Sequence, residues 1–153
     1  MVHFLFAMQR EADMFDLPNK TVIGVRGTDL PYIDKNDTVV NIGLCGGYKY
    51  SIGDVVVPTV VMTEDEFVSS NIIRTDSGEH ICVTARDFVE KPLKDIPVIY
   101  DMELAKLLAI PCKKLLAIKI VSDNLNESVY FQFDISRVKH EVMSILKENG
   151  LIQ

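Results

Sequence analysis

Apolar residues along this chain fall into short dense runs more often than into long helical stripes. The densest is Leu115 to Val121 (LLAIKIV), interrupted only by Lys119. It does not alternate, so it reads as a strand buried on both faces of a parallel sheet. It breaks into Ser122, Asp123 and Asn124. In open α/β sheets ligands sit outside the carboxyl ends of strands, which makes Asp123 a candidate for chemistry. The same Ser-Asp pair also suits the cap of a following turn.

The other runs follow the same logic. His3–Ala7 predicts a first strand and Met8–Phe15 a short helical turn. Lys20–Val25 predicts a second strand, and residues 27–37 a loop containing Pro31. Thr38–Gly43 predicts a third strand, opening into a Leu44-Cys45-Gly46-Gly47 turn where glycine allows close backbone approach. Ile52–Met62 predicts one long strand, kinked near Pro58. Residues 63–79 are polar and read as an exposed loop or hairpin. His80–Ala85 is a further strand, and Pro97–Tyr100 a short apolar segment. Asp101 has the character of an N-cap, with a helix over Met102–Ile110 stopped by Pro111. Asp134 caps a closing amphipathic helix to Asn149, with Ile135, Val138, Val142, Ile145 and Leu146 as its stripe. Alternating strands and helices, several strands wholly apolar, predict an α/β three-layer domain over residues 1–153 with a central mixed, largely parallel sheet.

Composition narrows the partners. The chain has 153 residues, 48% of them hydrophobic, enough for a real core. Net charge is −6, with no basic cluster, so no nucleic-acid partner is expected. No apolar run reaches membrane-spanning length, and the N-terminus lacks a signal-peptide pattern. Cys45, Cys82 and Cys112 lie far apart with no CxxC pair, which fits reduced thiols in a cytoplasmic protein. No metal or cofactor motif is present.

Glu11, Cys45-Gly46-Gly47, Phe88, Glu103 and Asp123 share one property: each falls just past the end of a predicted strand. If those strands are neighbours, the five line one edge of one sheet. Their motifs also resemble, in order and rough spacing, the purine nucleoside phosphorylase and 5′-methylthioadenosine/S-adenosylhomocysteine nucleosidase superfamily. The carriers are Ala7-Met8-x-x-Glu11, Asn41 to Gly47 followed by Gly53 to Val57, Phe88-Val89, Asp101-Met102-Glu103, and the strand into Ser122-Asp123.

The resemblance implies a compact, shortened member with the nucleoside phosphorylase-like fold, cleaving the N-glycosidic bond of a purine nucleoside. It implies that Asp123 protonates N7 of the base and that Ser122 orients it. Glu103 would bind the ribose hydroxyls and Met102 pack on the sugar. Phe88 would stack on the base, Val89 read its edge, and Glu11 hold the attacking water. Cys45 and Gly46 would line the site, and a homodimer or larger assembly would complete it, touching through Leu44, Tyr48, Tyr50 and residues 55–62. Such a cleavage needs an acid at the leaving group and a base or nucleophile at the anomeric carbon. Structural roles compete: a first-turn acid for Glu103, core packing for Phe88 and Met102, a solvated helix position for Glu11. Asn41 and Leu44 stand where phosphate-using relatives carry Arg and Ser or Thr, which favours water as nucleophile. Lys119 stands where the family often has Arg, and Asp101 where it has Glu. The alternatives are a phosphorylase using Arg26 or Arg86, and a nucleoside-binding protein without turnover.

Overall fold

The computed structural model describes residues 1–65, 67, 68 and 78–153. Among them nine strands form one sheet. They are β1 (Val2–Phe6), β2 (Lys20–Val22), β3 (Thr38–Tyr48), β4 (Val55–Val56), β5 (Val60–Thr63), β6 (Phe67–Val68), β7 (Ile81–Thr84), β8 (Val98–Asp101) and β9 (Lys114–Asp123). The main path runs β2-β1-β3-β8-β7-β5-β6, and β9 lies on the other edge of β3 with β4 beyond it. β1 is parallel to β2 and β3, β3 to β9, and β7 to both β5 and β8. Three pairs are antiparallel: β3–β8, β4–β9 and β5–β6. The sheet is therefore mixed and largely parallel, as the apolar runs predict.

Period two along the central strands sorts their side chains into two cores. Val40, Ile42 and Leu44 of β3 and Leu116, Ile118 and Ile120 of β9 face one side. There they meet Ala12, Phe15 and the stripe Ile135, Val138, Val142 and Leu146. Val39 and Cys45 of β3 and Leu115, Ala117 and Val121 of β9 face the other, against Leu104 and Leu107. Helices thus cover both faces: α1 (Gln9–Ala12) and α4 (Lys139–Glu148) on one, α2 (Leu104–Leu107) on the other, with α3 (Glu127–Tyr130) beyond β9. α4 is preceded by a 3₁₀ turn, Ile135–Val138, capped by Asp134, whose carboxylate accepts from Ser136 N at 3.0 Å.

Several expected boundaries move. Leu44 to Gly47 is not a turn: β3 runs through it to Tyr48. The glycines there serve packing, since a Cβ on Gly47 would stand 2.7 Å from Val121 Cγ1. Lys20–Val25 forms a strand only to Val22. The long strand over 52–62 is two strands, because Pro58 interrupts the ladder and β4 and β5 pair with different partners. The helix over 102–110 shrinks to Leu104–Leu107, and Asp101 is the last residue of β8, not its N-cap. The expected loop over 63–79 lies largely outside the described residues. Within the expected oligomer contact, Leu44, Val56, Val57 and Val61 are buried in the chain's own core, while Tyr48, Tyr50, Val55, Val60 and Met62 are partly exposed.

Candidate active site

The geometry of the site begins with β3. Its N-terminal half pairs with β1 through Thr38–Asn41, and its C-terminal end with β8 through Gly46–Tyr48. Between them one edge of β3 carries no strand partner among the described residues. Backbone groups there must find side chains, and Leu44 N donates to Glu11 Oε2 at 3.1 Å. Glu11 reaches this point because α1 starts directly after β1. Its other oxygen accepts from Met8 N at 2.9 Å, closing the first turn. Glu11 is 3% exposed, and burial pushes its pKa up despite the two backbone N–H groups and the Lys119 charge.

On the other edge the β3–β9 register shifts between Cys45 and Gly46. Cys45 faces Val121 and Gly46 faces Asp123, so Ser122 is the extra residue of a β-bulge. Bulges re-aim the side chain that follows. Ser122 Oγ lies 3.2 Å from Cys45 O and 3.0 Å from Asp123 Oδ2, a hydroxyl able to donate to either. Asp123 Oδ1 accepts from Leu125 N at 2.8 Å and Asn126 N at 3.2 Å. Burial nonetheless outweighs these three bonds and raises the Asp123 pKa. Asp123 thus also orders the turn after β9, as the capping role predicts, while its carboxyl lines a cavity.

That cavity, about 500 Å³, brings together residues from every motif. Glu11, Cys45, Gly46, Phe88, Val89, Met102, Glu103 and Asp123 all line it. Of the expected site residues only Ser122 does not, lying behind Asp123. Cys45 and Gly46 contribute from within a strand, and β8 arrives antiparallel to β3. The site is therefore a crook where β1, β8 and β9 meet the middle of β3, not one parallel edge.

Glu103 starts α2 and is 5% exposed. Its pKa is pushed up to about 7, chiefly by burial, while Lys119 draws it down and Asp101 and Glu11 draw it up. A raised carboxyl favours the protonated fold. Its stabilising share is complete below the ordinary value of 4.5 and is lost as pH rises through about 7. We expect Glu103→Gln to flatten part of that decline in urea midpoints measured across this window. Parallel wild-type and variant profiles would refute the assignment.

In the cavity wall, at Asp101, lies a buried ion pair. Lys119 is fully buried, and its Nζ is 2.9 Å from Asp101 Oδ2. Asp101 also accepts from Thr84 Oγ1 at 2.6 Å and Leu104 N at 2.8 Å. The lysine holds the Asp101 pKa low against burial, and Asp101 and Glu103 raise that of Lys119. Room for the ammonium comes from Gly43, its register partner: a Cβ there would sit 3.4 Å from Nζ.

Sequence reasoning missed the walls supplied by α3. Asn126 caps this helix through Ser128 N at 3.1 Å, and Glu127, Tyr130 and Phe131 line the cavity. Tyr130 packs against Phe88 (ring centroids 6.2 Å apart) and edge-on against Phe131 at 4.9 Å. An Asn cap followed by paired aromatics is the signal that would have found it. Arg26 is the other wall, placed by a turn in which Gly24, Arg26 and Gly27 all have positive φ.

No family model and no curated protein matches the chain. Solved structures do. An MTAN from Chlamydia trachomatis is similar at 16% identity and a TM-score of 0.67 over 96% of this chain and 97% of that one. A 5′-methylthioadenosine/S-adenosylhomocysteine nucleosidase (MTAN) from Helicobacter pylori matches at 14% and 0.66, with the same two shares covered. The futalosine hydrolase of Helicobacter pylori matches at 14% and 0.67, again over 96% and 97%. The fold is thus nucleoside phosphorylase-like, the architecture of these nucleosidases and hydrolases.

Proposed function

We propose that residues 1–153 form one domain that hydrolyses the N-glycosidic bond of a purine nucleoside. The observation that carries this reading is the pairing of two buried carboxyls of raised pKa, Glu11 and Asp123, across one cavity with an aromatic wall. Departure of a purine leaves negative charge on the base unless N7 is protonated. Asp123, kept protonated more readily by burial and oriented by Ser122, is the acid. Phe88 stacks on the base, Val89 borders it, and Glu103 with Met102 holds the ribose. Glu11 takes the proton of the attacking water, with Leu44 N–H fixing its carboxylate. The Chlamydia trachomatis protein, seen with MTA and with adenine bound, supports the same substrate class here.

Water is favoured over phosphate. Arg26 is the one cationic side chain among the described residues lining the cavity, and it is committed to Asp87 Oδ1 and Arg86 O, both at 2.7 Å. Arg86 lines an adjoining hollow, which meets the cavity at Arg26, Asp87 and Met102, and does not line the cavity itself. The test is release of free base from a purine nucleoside with and without inorganic phosphate. The expected rate is the same in both; a strong rise with phosphate overturns the hydrolytic reading, and no turnover despite binding leaves a nucleoside-binding protein. Three unbridged cysteines support a reducing, cytoplasmic setting. A homo-oligomer stays part of the reading, supported by Val25, Leu30 and Tyr32, exposed apolar residues beginning at the cavity wall. Among the described residues no helix is long and apolar enough to cross a membrane.

A further inference from the structure

The proposed nucleoside leaves one part of the cavity without an assigned role. With the base against Phe88 and Asp123 and the sugar against Met102 and Glu103, any group on the 5′ carbon leaves through the open side. That side carries Val25, Arg26, Asp87, Glu90, Glu127 and Phe131. Val25 is 43% exposed and Phe131 63%. Arg26 and Asp87 form an ion pair at 2.7 Å and cancel each other's charge. Glu90 and Glu127 are exposed and have no cationic partner among the described residues. The opening therefore presents two uncompensated carboxylates between apolar side chains. The chain's net charge of −6 gives a background of the same sign.

We infer, resting on the nucleoside reading, that this opening selects substrates by the charge of their 5′ group through Glu90 and Glu127. A cationic 5′ group is preferred, a neutral one accepted, and an anionic one disfavoured. A phosphate or carboxylate on C5′ would be partly stripped of water beside two like charges, with the neighbouring guanidinium already occupied. An ammonium there meets two free acceptors.

The test uses three adenosines differing only at C5′: 5′-amino-5′-deoxyadenosine, 5′-methylthioadenosine and adenosine 5′-monophosphate. Calorimetric Kd and kcat/KM are measured on the whole chain at low and high salt. Affinity should fall in that order, by about tenfold or more at each step at low salt. High salt should compress the series, because exposed charges are screened beyond roughly 8 Å at physiological ionic strength. The double variant Glu90→Gln, Glu127→Gln should bring the three within about threefold of one another. An unchanged spread in the double variant overturns the assignment to these residues. Equal binding of all three by the wild type overturns charge selection while leaving the nucleoside reading intact. Failure of all three, and of adenine, to bind removes both.

Discussion

Replacing Asp123 by Asn is expected to cost about 10²- to 10⁴-fold in turnover, the range one positioned acid supplies. The substitution is well matched to the site. The amide oxygen can still accept from Leu125 N and Asn126 N, so the turn after β9 keeps its bonds. The new NH₂ would face Ser122 Oγ, which can donate instead to Cys45 O, already 3.2 Å away. What is lost is the proton for the leaving base. Adenine should therefore still bind, since stacking on Phe88 is untouched and a neutral base needs no proton from the site. Rapid-quench turnover and calorimetry with adenine separate the two effects. Full activity in the variant would remove Asp123 from the chemistry. Loss of adenine binding together with lowered thermal stability would make it a structural cap and nothing more.

How much of this was legible beforehand divides along physical lines. Buried strands announce themselves by composition, so β1 and β9 lie close to their expected places, as does the closing helix with its Asp134 cap. Most of the cavity residues were legible because their motifs sit beside a strand end, a local feature; Cys45 and Gly46, inside β3, are the exception. Register is not local. That Ser122 is a bulge, re-aiming Asp123, depends on which β3 residue each β9 residue opposes. That Cys45-Gly46-Gly47 stays extended depends on β8 and β9 pairing with it from both sides. Without those partners a Gly-Gly pair reads as a turn. The shortened α2 has the same cause. Asp101 looks like an N-cap from its neighbours, but the cation that fixes its place is eighteen residues on in another strand, and it accepts the α2 N–H bonds from the end of β8. α3 was missed because four residues show no period.

Lys119 carries the second large expectation. In the sequence it is merely the blemish in an apolar strand. In the fold it is fully buried, opposite a glycine, with Asp101 its ion-pair partner at 2.9 Å. Deleting one member of such a pair leaves a buried charge uncompensated, a loss of about 3–5 kcal/mol. Lys119→Met, which fills similar volume without the charge, should lower stability by that amount at neutral pH. The double variant with Asp101→Asn should recover much of it, because no carboxylate then remains to strand. Acid pH gives a second reading. Asp101 has its pKa held below the ordinary 3.8, so its share of stability is present above that value and is lost as pH falls through the folded-state pKa. Lys119→Met should abolish this share, and the variant should suffer less than wild type from further acidification. Removing the ammonium also withdraws the charge that holds the Glu11 and Glu103 pKa values down. Both carboxyls then protonate more readily, so the activity of Lys119→Met should move to higher pH. Urea unfolding of the two single variants and the double variant at neutral and acid pH supplies the cycle. A single-variant loss under about 1 kcal/mol, or additive losses in the double, would mean that the pair is not the electrostatic unit the geometry describes.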